Sequence, residues 1–276
     1  MIARRFSGRT LVVATTDLRQ LRQSPDFWLP MLFLAVLFFV VAPASLLWAI
    51  TRAEDAALVQ KVAATLDVLP QRAQAEVRGE DPAARTSYAL AVYLFAPLAV
   101  IVPITISTAV GANTIVGERE RGTGEFLAHS PATEQEIYLG KLIASLLPGY
   151  LTTLAGFAAY SLVVNLIVGP KVGGWFFPTG DWWLLMFWVV PPFLALTLSV
   201  VLRLSARVTS AAAAQQSSGL VTLPLILLSY GQSSGLLLGE ARSGLVVGGL
   251  AWGAAAIGLR RGFRAVTRDR LLGVGG

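Results

Sequence analysis

The side chains able to do chemistry are few, and they crowd into one stretch. Between residues 117 and 136 stand Glu118, Arg119, Glu120, Arg121, Glu125, His129, Glu134 and Glu136. The pairs Glu118 with Glu120 and Glu134 with Glu136 invite comparison with metal ligands, but acidic residues at helix ends are ordinarily solvated or aligned with the helix dipole. His129 is the sole histidine and cysteine is absent, which argues against a histidine-based metal site and removes disulfides and thiolate clusters. An enzyme working inside a membrane would need paired carboxylates, a histidine cluster or a nucleophile with its base at depth. The apolar parts of the chain carry almost no ionisable side chain, so no catalytic residue and no metal ligand is assigned.

The same stretch is suited to docking. Glu118 to Arg121 is a run of alternating charge able to carry a helix out into water, and Gly122 to Gly124 is a flexible break. From Thr123 to His129 the chain can form a short helix, with Thr123 as its cap and Ser130 and Pro131 as its stop. Phe126 and Leu127 on that helix would show apolar surface beside the charge of Glu125.

The elements that must hold this segment are membrane helices. Hydrophobic residues make up 55% of the chain and charged ones 14%, with a mean hydropathy of +0.65, too apolar for a soluble domain of this length. At roughly 20 apolar residues per crossing, six transmembrane helices fit, over about 27–50, 88–113, 136–168, 182–204, 211–230 and 243–259. No polar stretch is long enough for a soluble domain, so residues 1–276 read as one all-α integral membrane domain. Kinks are expected at Pro43, at Pro97 and Pro103, at Pro148 with Gly149, and at Pro191 and Pro192. Span three starts before the bilayer requires, which puts Lys141 at the headgroups. Loop 51–87 is expected to hold an amphipathic helix through Ala56, Val59, Val62, Ala63 and Leu66. The cluster Trp175, Phe176, Phe177, Trp182 and Trp183 is expected to anchor at the interface.

Residues 2–22 place Leu11, Ala14, Leu18 and Leu21 on one helical face with Arg19 and Arg22 away from it, the pattern of a helix lying on the membrane. The net charge of +6 therefore reads as a membrane-side bias and not as a nucleic-acid surface. Arg4, Arg5, Arg9, Arg19 and Arg22 at one end and Arg260, Arg261, Arg264, Arg268 and Arg270 at the other put both termini in the cytoplasm.

From Glu118 to Lys141 the sequence resembles the type 2 ABC transporter permeases, which have the type V exporter fold. Their pattern is an acidic end to span two, Gly-Thr, a Glu followed by hydrophobes, Ser-Pro, and Gly-Lys opening span three. Here those positions are Glu118, Glu120, Gly122, Thr123, Glu125, Phe126, Leu127, Ser130, Pro131, Gly140 and Lys141. Residues 205–220, with small residues and the pair Gln215 and Gln216 ahead of an apolar run, are similar to a second feature of these permeases. Gly124 and Phe126 depart mildly from the pattern. The resemblance implies a coupling helix within Glu118–His129, including Arg119 and Arg121, seated in a cytoplasmic ABC ATPase. It also implies a second permease copy or homologue, a location in a bacterial or archaeal cell membrane, and ATP with Mg on the partner and not on this chain. A nucleotide loop of the form G-x-x-x-x-G-K-[ST] is missing here, since Gly140 and Lys141 are followed by Leu142.

A channel or a secondary carrier without an ATPase is the rival reading, but ion-driven carriers place a charged residue near the midplane and none is evident. The polar side chains that could line a path are Thr105, Thr108, Thr152, Asn165, Gln215 and Gln216. They leave the cargo open.

Overall fold

The computed structural model describes residues 8–52, 71–208 and 241–263, with isolated positions at 64, 69, 213 and 216. Among the described residues every regular element is helical. Helix α1 is Gly8–Gln23, α2 is Pro25–Arg52 and α3 is the short Gln71–Glu76. Then come α4 (Pro82–Ala89), α5 (Leu98–Glu120), the one-and-a-half-turn α6 (Gly124–Ala128) and α7 (Glu134–Ile167). The last two are α8 (Gly180–Ser205) and α9 (Ala241–Gly262).

Among the described residues four helices are long and apolar enough to cross a membrane: Pro25–Arg52, Pro82–Glu118, Glu134–Ile167 and Gly180–Ser205. They coincide with the first four expected spans. The expected sixth span lies within the glycine-rich α9, which is helical but is not one of those four. The expected fifth span and the amphipathic helix of loop 51–87 lie outside the described residues, apart from isolated positions. The central spans are α5 and α8, which pack on each other; α7 lies against α5, and α9 against α8. Gly149 allows the α5–α7 contact, because a Cβ there would stand 2.8 Å from the Pro103 carbonyl oxygen.

Three spans contain a π-helical turn, at Leu37–Val41, Leu90–Leu94 and Leu185–Val189. Each ends just before a proline: Pro43, Pro97 and the Pro191–Pro192 pair. A proline ring strikes the carbonyl four residues back, and those carbonyls, on Phe39, Tyr93, Phe187 and Trp188, all belong to the π turns. The wider turn relieves the clash, so Pro43, Pro97, Pro191 and Pro192, expected as simple kinks, act through an altered helical register, whereas Pro103 and Pro148 lie within α-helix.

Widening a turn strands carbonyls that an α-helix would have paired, and in an apolar medium these need other donors. At Leu90–Leu94, Phe95 N–H goes back to Leu90 O. The Ala91 oxygen accepts from the Tyr160 hydroxyl at 2.6 Å, and the Val92 oxygen from the Trp182 indole at 2.8 Å. The Tyr150 hydroxyl does the same for Met186 O at 3.1 Å. Trp182 is therefore a core donor, and Phe177 is equally buried, which corrects their expected place at the interface; Trp175 and Trp183 of the same cluster are exposed. Tyr160→Phe keeps the ring and removes only the donor. It is expected to cost about 1–3 kcal/mol, read as a lowered thermal midpoint of the detergent-purified chain; an unchanged midpoint would show that the Ala91 carbonyl finds another partner.

Candidate coupling site

The end of α5 is shaped by its last turn. Gly122 has φ of +71°, which lets the chain reverse while Thr123 N–H donates to Glu118 O at 2.8 Å, the bond that closes a helix over a left-handed glycine. After α6, Thr133 opens α7 with a reciprocal cap: Glu136 N–H donates to the Thr133 hydroxyl at 3.3 Å, and Thr133 N–H to the Glu136 carboxylate at 2.7 Å. Both ends of the loop are thus set by local bonds.

Its base is set by a buried ion cluster. Lys141 Nζ donates to Glu118 Oε1 at 3.0 Å and to Asp17 Oδ2 at 3.0 Å, joining α7 to α5 and α1. The lysine side chain is 2% exposed and the Asp17 and Glu118 side chains 13% and 9%. The other Glu118 carboxylate oxygen accepts from the Thr123 hydroxyl, and so ties the cluster to the residue before α6. Gly140 lets α1 come close enough, since a Cβ there would meet Val13 at 2.7 Å. At the α1 end, Arg9 donates to Pro131 O at 2.9 Å. One ammonium serves two carboxylates, and burial pushes the Asp17 carboxyl above its ordinary value of 3.8 despite the pull of Lys141.

Several expectations are corrected here. Lys141 is buried in protein and does not meet the headgroups. Glu118 is paired and enclosed, not solvated. Thr123 precedes α6 but its hydroxyl turns back to Glu118 and makes no cap bond. In α1, Ala14, Leu18 and Leu21 of the expected apolar face are buried or half-buried together with Thr10, Val13 and Asp17, while Leu11 is exposed, as a face laid on a membrane allows. Asp17 was missed as a partner of Lys141, although its spacing from Ala14 and Leu21 places it on that face.

On α6, Glu125 is exposed, Phe126 is 81% exposed, Leu127 is half-buried and Ala128 is buried. His129 is exposed, with its Nδ1 2.9 Å from the Glu125 carbonyl oxygen. Glu120 and Arg121 are exposed at the end of α5; the Arg119 side chain is outside the described residues. Two clefts flank the cluster. One, of about 380 Å³, is lined by Gln20, Asn113, Thr114 and Arg121, and the other, of about 340 Å³, runs between α1 and α6 past Val12 and Phe126.

The path candidates are not brought together. Thr105 is exposed and donates to Ile101 O at 2.9 Å, and Thr108 is buried and donates to Thr105 O at 3.1 Å. Thr152 lines a separate groove beside α2. Asn165 clamps the loop after α7, accepting from Phe176 and Phe177 N–H at 2.9 and 3.1 Å and donating to Phe177 O at 2.6 Å. Gln216 is exposed, and Gln215 lies outside the described residues. Among the described residues no group of three metal-ligating side chains occurs.

A family model described as ABC-2 family transporter protein matches residues 11–245. The chain belongs to the ABC-2 transporter family. It is therefore a multi-pass membrane protein of the ABC permease kind, a transport subunit, and the matched region contains the ion cluster, α6 and all four candidate spans. A search of curated proteins finds no match.

The cluster predicts unequal effects within this permease. Lys141→Met would leave two carboxylates buried without their cation and cost about 3–5 kcal/mol. Asp17→Asn leaves the Lys141–Glu118 pair intact. Because the folded Asp17 pKa is raised, its favourable contribution is full at low pH and is lost as pH rises through the folded value. The stability of wild type relative to Asp17→Asn should thus fall as pH rises above the ordinary value of 3.8, measured by thermal unfolding in detergent; a constant or rising difference would contradict the burial of the Asp17 carboxyl.

Proposed function

We propose that this chain is the membrane half of an ATP-driven exporter and that α6 is the coupling helix received by a groove of a separate cytoplasmic ATPase. The observation that carries the reading is the pairing of an exposed hydrophobe with a rigid mount. Phe126 is 81% exposed on a five-residue helix, and full burial of such a side chain is worth about 1.5–3 kcal/mol, a natural anchor for a partner. The mount is the Asp17–Lys141–Glu118 cluster, through which a push on α6 reaches α1, α5 and α7 together.

In this reading Glu118, Arg119, Glu120, Arg121, Gly122, Thr123, Glu125, Phe126, Leu127 and His129 form the coupling segment, and both termini are cytoplasmic. The ATPase supplies ATP and Mg. Two permease halves, identical or related, enclose a cavity that is alternately open to either side, and closure of the ATPase pair drives the coupling helices toward each other. A cavity wall with few fixed charges suits a hydrophobic or amphipathic cargo, a lipid or a peptide, better than a bare ion.

Replacement of Glu125 or Phe126 by Ala should uncouple transport from hydrolysis, with ATPase activity retained but no longer stimulated by cargo, while the spans stay folded. Purification of the chain from its native membrane should recover a phosphate-loop ATPase with vanadate-sensitive activity. Full coupling in both variants would remove α6 from this role, and a chain that purifies alone and inactive would favour a channel or carrier.

A further inference from the structure

Where α1 gives way to α2, a groove of about 500 Å³ opens between that elbow and the middle of α7. Its walls are apolar: Leu21, Phe27, Met31 and Leu32 on one side and Pro148 with the Thr152 side chain on the other. Arg22 is the one charged residue lining it, and Trp28 adds an indole N–H. Among the described residues the Arg22 guanidinium, the Trp28 indole and the Thr152 hydroxyl have no protein partner. Donors without acceptors stand beside a wall of hydrocarbon.

The groove also has a definite depth. Helix α7 has 34 residues, about 51 Å at 1.5 Å each, against a bilayer core of roughly 30 Å. Measured back from Ile167, a core thickness of roughly 20 residues ends near Pro148. On the other wall, the first candidate span begins at Pro25, so Phe27 and Trp28 sit at the same boundary, where headgroups meet acyl chains and tryptophan is favoured. A soluble apolar compound would leave the arginine unused, and a free phosphate would leave the hydrocarbon wall unused.

We infer that this groove binds an anionic phospholipid, with its phosphate on Arg22 and Trp28 and one acyl chain laid along Met31, Leu32 and Thr152. No acidic residue lines the groove, so nothing there pairs with a headgroup ammonium, which favours a net-negative headgroup over a zwitterionic one. The bound lipid bridges α1, α2 and α7 at the end of the bundle that carries the ion cluster. Only the leaflet, cytoplasmic, rests on the proposed orientation; the site does not.

The test uses the full chain in mild detergent, mixed with phosphatidylglycerol or phosphatidylethanolamine of equal chain length, with bound lipid counted by native mass spectrometry. Wild type should retain phosphatidylglycerol preferentially. Arg22→Gln should weaken that binding about fivefold, the worth of one basic residue at an anionic surface, and Thr152→Trp should weaken it by filling the groove without changing charge. Arg19→Gln, the same charge on the same helix outside the lining, should leave it unchanged. Equal losses at Arg19 and Arg22 would show general surface attraction and overturn the site, as would binding untouched by Arg22→Gln. Displacement by glycerol phosphate lacking acyl chains would identify a phosphate site and overturn the lipid. Should Thr152→Trp fail to fold, the Arg19 and Arg22 variants decide.

Discussion

A lysine ammonium removed from water costs several kcal/mol unless charges and hydrogen bonds replace the water. Lys141 meets that condition with two carboxylates from two other helices, and the arrangement at this end of the molecule follows from it. Asp17 must face α7, which sets the roll of α1; Gly140 must lack a side chain, so that α1 can approach; Glu118 must remain helical and turned inward, which fixes where α5 can end. Thr123 then hangs from the second oxygen of Glu118, so α6 begins from a point tied to three helices. In a low-dielectric surrounding such a cluster resists partial rupture, which suits a part meant to transmit displacement without absorbing it.

The far half of the bundle is organised by a different constraint. Prolines follow π turns in three of the described spans, and in two of them the released carbonyls are met by Tyr150, Tyr160 and Trp182. Those side chains come from α7 and α8, so backbone irregularity in one helix is satisfied by another, and the spans gain specific contacts where lipid gives no hydrophobic drive for association. Asn165 adds a carboxamide clamp that holds the loop between α7 and α8 against the end of α7. The two ends thus differ in kind: ionic at the α6 end and aromatic with neutral hydrogen bonds at the other.

Much of this was legible in the residues. Apolar runs located the first four candidate spans, Gly122 and Pro131 marked the edges of the α6 segment, and the string from Glu118 to Lys141 pointed to the family that the match over residues 11–245 shows. What escaped was the partner of each polar group. Lys141 looked like a headgroup lysine because a local reading sees only its neighbours, and the carboxylate of Asp17 lies 124 positions away. The apolar face of α1 was legible as a membrane-lying pattern, but not that Thr10 and Asp17 turn toward α7 beside it. The prolines were visible, but the π turns at Leu90–Leu94 and Leu185–Val189 lean on donors supplied by other helices, and for the same reason Asn165 looked like a path residue when its bonds hold a loop.

The central claim is that α6 meets a separate ATPase, and the absence of cysteine from the chain makes it directly testable. His129→Cys places a single thiol beside α6 and leaves Glu125 and Phe126 in place, while Trp175→Cys places one on an exposed residue of the α7–α8 loop. With a short thiol-to-photoreactive cross-linker in native membranes, the account predicts a product between the His129→Cys chain and a phosphate-loop ATPase, its yield altered by ATP with vanadate, and none from Trp175→Cys. No ATPase product from His129→Cys, or equal products from both positions, would contradict it.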